Sequence, residues 1–230
     1  MKYIEEGQAA VEFYSSPRKR NIFFIGDSIT QGYCGKVKSI ASDFANVYFP
    51  SENCRSTQYV IVSLLRWSNM FENKDEVDTV CFNCGHWDIA HWNCDETPLT
   101  DIDTYSRNIR KIIIQLKRFF TNAKIVFITT TPMNPEMVEC VNPRTTEEII
   151  EYNKAALKVC EQENINVFDL FKKVCDWPGQ RYTDYAHFTD ESFDAIANTI
   201  CEYLHLRGDN NYGKQQDKKG GKPECLGIHR

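Results

Sequence analysis

Two short stretches carry the residues that could do chemistry. In the first, Gly26-Asp27-Ser28 follows the apolar run Ile22-Phe23-Phe24-Ile25. A hydroxyl and a carboxylate therefore stand directly behind what reads as a buried strand. Gly26 permits a tight turn, so Ser28 is expected at the rim of a sheet, where ligand sites form in open α/β folds. On this stretch alone Ser28 could equally be a helix N-cap. In the second, Asp184-Tyr185-Ala186-His187 sets a carboxylate three residues ahead of a histidine. Such an aspartate can fold back onto the imidazole, fix its tautomer and stabilise the imidazolium formed when His187 takes a proton from a serine. The plainer alternative is an aspartate that bonds only loop amides.

Those residues need a scaffold, and the chain alternates strand and helix signals. Apolar, β-branched or aromatic runs predict strands over 21–25, 46–49, 78–82, 124–129 and 166–170. Helical periodicity predicts helices over 36–45, 57–71 and 191–206, one from Asp103 or Thr104 to Phe119, and one after Thr145 to about residue 162. The Thr145-Thr146-Glu147-Glu148 run offers a capping box for the last of these. The segments 130–144 and 171–190 read as loops. This order specifies a parallel five-stranded sheet with helices on both faces, a three-layer α/β/α sandwich. One domain over 1–207 is expected, with a polar, disordered tail over 208–230.

Composition narrows the class. Of 230 residues, 27 are basic and 32 acidic, a net charge of −5 that argues against a general nucleic-acid surface. Neither an apolar leader nor a run long enough to span a membrane is apparent. Cysteines at 81, 160 and 201 fall in core segments, which suits buried, reduced thiols and a cytoplasmic setting. Cys81, Cys84, His86, His91 and Cys94 have a spacing that zinc could use, although strand alternation would turn Cys81 away from Cys84.

With Ser28 behind the first strand and Asp184-x-x-His187 before the last helix, the chain resembles the SGNH (GDSL-type) hydrolases over residues 20–206. That resemblance implies a flavodoxin-like fold, Ser28 as nucleophile, His187 as general base, Asp184 as its orienting partner, and no metal or organic cofactor. The middle blocks depart from the pattern. Trp87 stands where the family carries an oxyanion-binding asparagine, and the loop Glu52-Asn53-Cys54-Arg55-Ser56 lacks the family's glycine. The Phe82-Asn83-Cys84-Gly85-His86-Trp87 stretch instead resembles a signature of polysaccharide O-acetyltransferases and related esterases. Asn83 then becomes a candidate oxyanion donor, beside the N–H groups of Ser28 and Cys54. Asp27, Arg55, His86 and Trp87 are candidate substrate contacts. The resemblance implies an esterase for a small acyl group on a carbohydrate. Acyl transfer to a sugar and glycan binding without turnover stay open beside it.

Overall fold

The computed structural model describes residues 18–137 and 141–207. Five strands form one sheet: β1 (Arg20–Ile25), β2 (Ala45–Tyr48), β3 (Thr79–Phe82), β4 (Lys124–Ile128) and β5 (Asn166–Phe168). Their spatial order is β2-β1-β3-β4-β5, and every pairing is parallel. Seven helices accompany them among the described residues: α1 (Ser28–Ile40), α2 (Thr57–Ser68), α3 (His86–Ile89), α4 (Ile102–Phe119), α5 (Thr146–Gln162), α6 (Leu170–Cys175) and α7 (Asp190–Tyr203).

The strands read as unbroken apolar runs because both faces are covered, as parallel sheets require. Alternation divides them. Phe23, Ile25, Val80, Phe82 and Phe127 pack with Leu64 of α2, Ile112 of α4 and Ala156 of α5 on one face. Ile22, Phe24, Cys81, Val126 and Ile128 pack with Tyr33 of α1, Val174 of α6 and Ile200 of α7 on the other. Strand β1 lies between β2 and β3, so the connections leaving β1 and β3 diverge at their carboxyl ends. That switch point is where open α/β sheets form their sites.

Three helices differ from expectation, among them the short α3, which was not expected. Helix α1 begins at Ser28 rather than near residue 36. Asp27 Oδ1 accepts the Ile29 N–H at 3.0 Å as its N-cap, and Gly32 and Gly35, which read as loop residues, lie within it. Gly32 is there for space: a Cβ on it would meet the Phe193 ring of α7 at 2.3 Å. Within the expected 171–190 loop, Asp169 caps α6 through the Lys172 N–H at 3.1 Å. Thr145 and Glu148 form the capping box expected for α5. Among the described residues, no helix is long and apolar enough to cross a membrane. The expected polar tail over 208–230 lies outside the described residues.

Candidate active site

Helix α1 presents Ser28 in its first turn, immediately after β1. Gly26 is obligatory at the junction because a Cβ would stand 2.1 Å from Thr30 Oγ1. Asp27 is fully buried. Burial raises its carboxyl pKa, opposed by the Ile29 amide and then by the positive charge of Arg144. Its place is under the helix, fixing the turn that carries Ser28, so the expectation that it touches substrate is corrected.

The partner arrives from the loop before α7. An antiparallel bridge joins Tyr182 to Phe188, and Thr183 N–H donates to the His187 carbonyl at 2.8 Å, folding 182–188 tightly. Inside this fold Asp184 Oδ1 accepts the backbone N–H groups of Ala186 (2.8 Å) and His187 (2.7 Å). Its Oδ2 lies 2.7 Å from His187 Nδ1. Partial burial pushes the Asp184 carboxyl up, but the two amides and the imidazole outweigh it and hold it below the usual carboxylate range. An ionised Asp184 accepts a hydrogen bond from Nδ1–H, leaving Nε2 free to accept. Ser28 Oγ lies 2.7 Å from that Nε2. Asp184 thus contacts its loop amides and the imidazole at once.

Ser28 and His187 open onto a cleft of about 240 Å³, also lined by Asn53, Trp87, Trp92, Arg144 and Tyr185. That is below the ~300–1,000 Å³ typical of drug-sized sites. Trp87 and Trp92 form its aromatic wall, their ring centroids 4.7 Å apart. His86 lines the cleft from a buried position; burial, and then Arg144, holds its pKa well below the ordinary value. The neutral ring accepts Arg144 Nε–H on Nδ1 at 3.2 Å, leaving Nε2–H to donate to Thr131 Oγ1 at 3.2 Å.

Two expected oxyanion donors are elsewhere engaged. Both amide hydrogens of Asn83 are spent, on the Ile128 carbonyl (2.8 Å) and Thr130 Oγ1 (3.2 Å), which ties β3 to β4. The Cys54 N–H donates to the Gly26 carbonyl at 3.1 Å, tying its loop to the turn beneath Ser28. Ser28 N–H, at the first position of α1, is among the groups that a helix leaves without an internal partner. Asn53 also has a donor to offer. Its Oδ1 accepts the Arg55 N–H at 2.8 Å, so its amide nitrogen is left to donate, and the side chain lines the cleft. Arg55 itself is exposed at the rim, stacked 4.7 Å from the Tyr59 ring centroid and 5.8 Å from that of Trp87.

Asp88, next to Trp87, acts at a distance from the chemistry. Its Oδ2 accepts Thr57 N–H at 2.9 Å and its Oδ1 accepts Thr57 Oγ1–H at 2.6 Å, capping α2 where Ser56 makes no side-chain cap bond. Burial raises its carboxyl pKa to about 6 against those bonds. The histidines and cysteines whose spacing could suit zinc do not converge. Cys81 and Cys84 pack in opposite core layers, and His91 bonds Glu148 Oε1 at 2.8 Å. Arg144, Asn53 and Tyr185 are cleft residues that sequence reasoning did not single out. Only Asn53, an amide in the loop already flagged for a donor, carried a usable signal.

The family model described as "GDSL-like Lipase/Acylhydrolase family" matches residues 24–195. The rice (Oryza sativa subsp. japonica) GDSL esterase/lipase WDL1 is 23% identical over 188 residues, covering 77% of this chain and 65% of that protein. The GDSL esterase/lipase CPRD49 of Arabidopsis thaliana is 24% identical over 188 residues, covering 77% of this chain and 66% of its own. The chain thus spans about two thirds of the length of these curated relatives. Among solved structures, an acetyl xylan esterase, AlAXEase, superposes with a TM-score of 0.66 at 19% identity, covering 80% of this chain and 99% of its own. Est24, a carbohydrate acetylesterase from Sinorhizobium meliloti, gives 0.62 at 13% identity, covering 81% and 99%. At these identities the structural likeness establishes the fold, a five-stranded parallel α/β sandwich shared with these hydrolases.

Proposed function

The chain belongs to the GDSL-like lipase/acylhydrolase family, and from that premise we propose that it is a serine esterase removing a small acyl group, acetate foremost, from a carbohydrate. The observation that carries this reading is the unbroken relay of two 2.7 Å contacts from Ser28 Oγ through His187 to Asp184 at the mouth of the cleft. Ser28 Oγ attacks the ester carbonyl while His187 Nε2 takes its proton; His187 then protonates the departing sugar hydroxyl. Water, deprotonated by the same nitrogen, releases the acyl group from Ser28. Asp184 stabilises the imidazolium in both halves. The oxyanion is assigned to Ser28 N–H and the Asn53 side-chain amide, each worth on the order of 10²–10³ in rate. Trp87 and Trp92 supply a face for a sugar ring, and the cleft volume limits the acyl group to a small one.

The similarity to an acetyl xylan esterase and a carbohydrate acetylesterase supports acetyl sugars as substrates. None of the relay requires a metal or organic cofactor. Nucleic acid and membrane are not among the partners assigned. Six buried, unpaired thiols among the described cysteines suit a reducing, cytoplasmic setting. The test is hydrolysis of 4-nitrophenyl acetate and acetylated xylan by wild type and Ser28→Ala. Serine-dependent release of acetate from both is expected. Turnover that survives the substitution, or wild-type inertness toward every acetyl ester, would refute the reading.

A further inference from the structure

One charged side chain in the cleft has no part in the relay. Arg144 leaves the proline-bearing loop before α5 and is held from three sides. Its Nε–H donates to His86 Nδ1 at 3.2 Å, its Nη1 reaches the Asn142 carbonyl at 3.4 Å, and its guanidinium lies 5.3 Å from the Tyr185 ring centroid. Nη2 has no partner among the described residues, and no described carboxylate pairs with Arg144.

This sets it apart. Arg18, Arg66 and Arg110 each pair with an acid, at 2.9, 2.6 and 3.2 Å from Asp78, Glu52 and Glu163. Asp184 has both oxygens engaged by its own loop and His187. Asp27 is wholly buried beneath Ser28 with Oδ2 unpartnered, and the charge of Arg144 acts on it through space without an ion pair. A partly buried guanidinium without a counter-charge is costly to hold in place. Here a neutral, buried histidine does the holding, contributing an acceptor but no charge to cancel. Arg55 adds a second positive charge behind Trp87 at the rim, in a chain whose net charge is −5. Among the residues lining the cleft, Arg144 is the one arginine or lysine, and none is an aspartate or glutamate.

We propose that Arg144 is a specificity-determining residue that binds the carboxylate of an acidic sugar, making acylated hexuronates the preferred substrates. A guanidinium fixed at Nε and stacked on an aromatic ring presents a planar pair of donors, the geometry that a carboxylate accepts. The Trp87–Trp92 wall in the same cleft offers the face for the sugar ring, and Ser28 reaches its ester. The acyl part of this inference rests on the esterase reading; the anion part does not.

The experiment uses two substrates that differ in one charge: methyl 2,3-di-O-acetylglucuronoside as the free acid and as its 6-methyl ester. Wild type is expected to prefer the acid by roughly 10- to 100-fold in kcat/KM, the usual span for hydrogen bonds to a charged group. Arg144→Met is expected to bring that ratio to about 1, and Arg144→Lys to restore part of it. A wild-type ratio near 1, or a ratio unchanged in Arg144→Met, overturns the proposal. Quenching of tryptophan fluorescence in Ser28→Ala by methyl glucuronide, methyl glucoside and glucose 6-phosphate separates the two readings. Tighter binding of the glucuronide than of the other two, with no ester turnover by wild type, would sink the esterase reading and keep the anion site. Tightest binding of the phosphate would overturn the choice of carboxylate. Equal binding of the glucoside would overturn the site itself.

Discussion

Replacing Gly32 by alanine pits two effects of similar size against each other. The added Cβ would lie 2.3 and 2.4 Å from Phe193 Cζ and Cε1, about 1 Å inside ordinary contact. Relieving it moves α1 away from α7 or swings the Phe193 ring, and such overpacking costs about 1–3 kcal/mol. Against that, alanine in a helix interior gains about 0.8–1.0 kcal/mol over glycine. The net expectation is a loss of roughly 0–2 kcal/mol, or up to about 8 °C in Tm for a chain of this size. The kinetic effect should be larger than the thermodynamic one. Ser28 rides on α1 one turn before Gly32, while His187 sits two residues ahead of Thr189, the N-cap of α7. Misplacement by about 1 Å between a nucleophile and its base can cost ~10²-fold. Urea unfolding and kcat on 4-nitrophenyl acetate measure the two separately. Gly32→Ala/Phe193→Leu should recover most of the lost kcat, since the smaller side chain vacates the space. A Gly32→Ala protein more stable than wild type that keeps kcat within about twofold would refute this coupling. The helix-propensity gain would then have won, and the α1–α7 contact would not set the Ser28–His187 distance.

Two further substitutions test the supporting carboxylates. In Asp184→Asn the carbonyl oxygen must keep accepting the Ala186 and His187 amides, so the new NH₂ faces Nδ1 and drives the ring proton onto Nε2. A loss of about 10⁴ in kcat with little change in KM is expected on 4-nitrophenyl acetate; a loss under tenfold would contradict the orienting role. Asp88 predicts the sign of a pH effect. Its folded pKa, about 6, lies above the unfolded value, so the native state holds a proton that the unfolded state lacks between roughly pH 4 and 6. Its contribution to stability therefore falls as pH rises through that window and is level above it. Relative to Asp88→Asn, wild type should gain on the order of 1 kcal/mol between pH 7 and 5 by urea unfolding. A relative loss on acidification would show that the carboxylate is retained as an ion.

What could be read from the chain depended on how local the physics was. The strands were legible because two-sided burial leaves continuous apolar runs such as Ile22 to Ile25. Asp184 and His187 meet within one tight loop, so their spacing allowed the contact without requiring it. The start of α1 was not legible: glycines at 32 and 35 look like loop residues until Phe193, remote in sequence, is seen to need the space. Donors were harder still. Whether Asn83 or Cys54 points at substrate depends on what Ile128, Thr130 and Gly26 offer them, which no motif states. Arg144 lies in a loop whose composition is unremarkable, and only folding brings it to His86.

The most direct test of the central claim is covalent. Wild type mixed with 4-nitrophenyl acetate and quenched in acid within its first turnovers should yield one acetyl group per chain, located on Ser28 by peptide mass spectrometry, in an amount equal to the burst of nitrophenol. Ser28→Ala should show neither adduct nor burst. Acetyl on another residue, or steady hydrolysis with Ser28 unmodified and dispensable, would contradict the account.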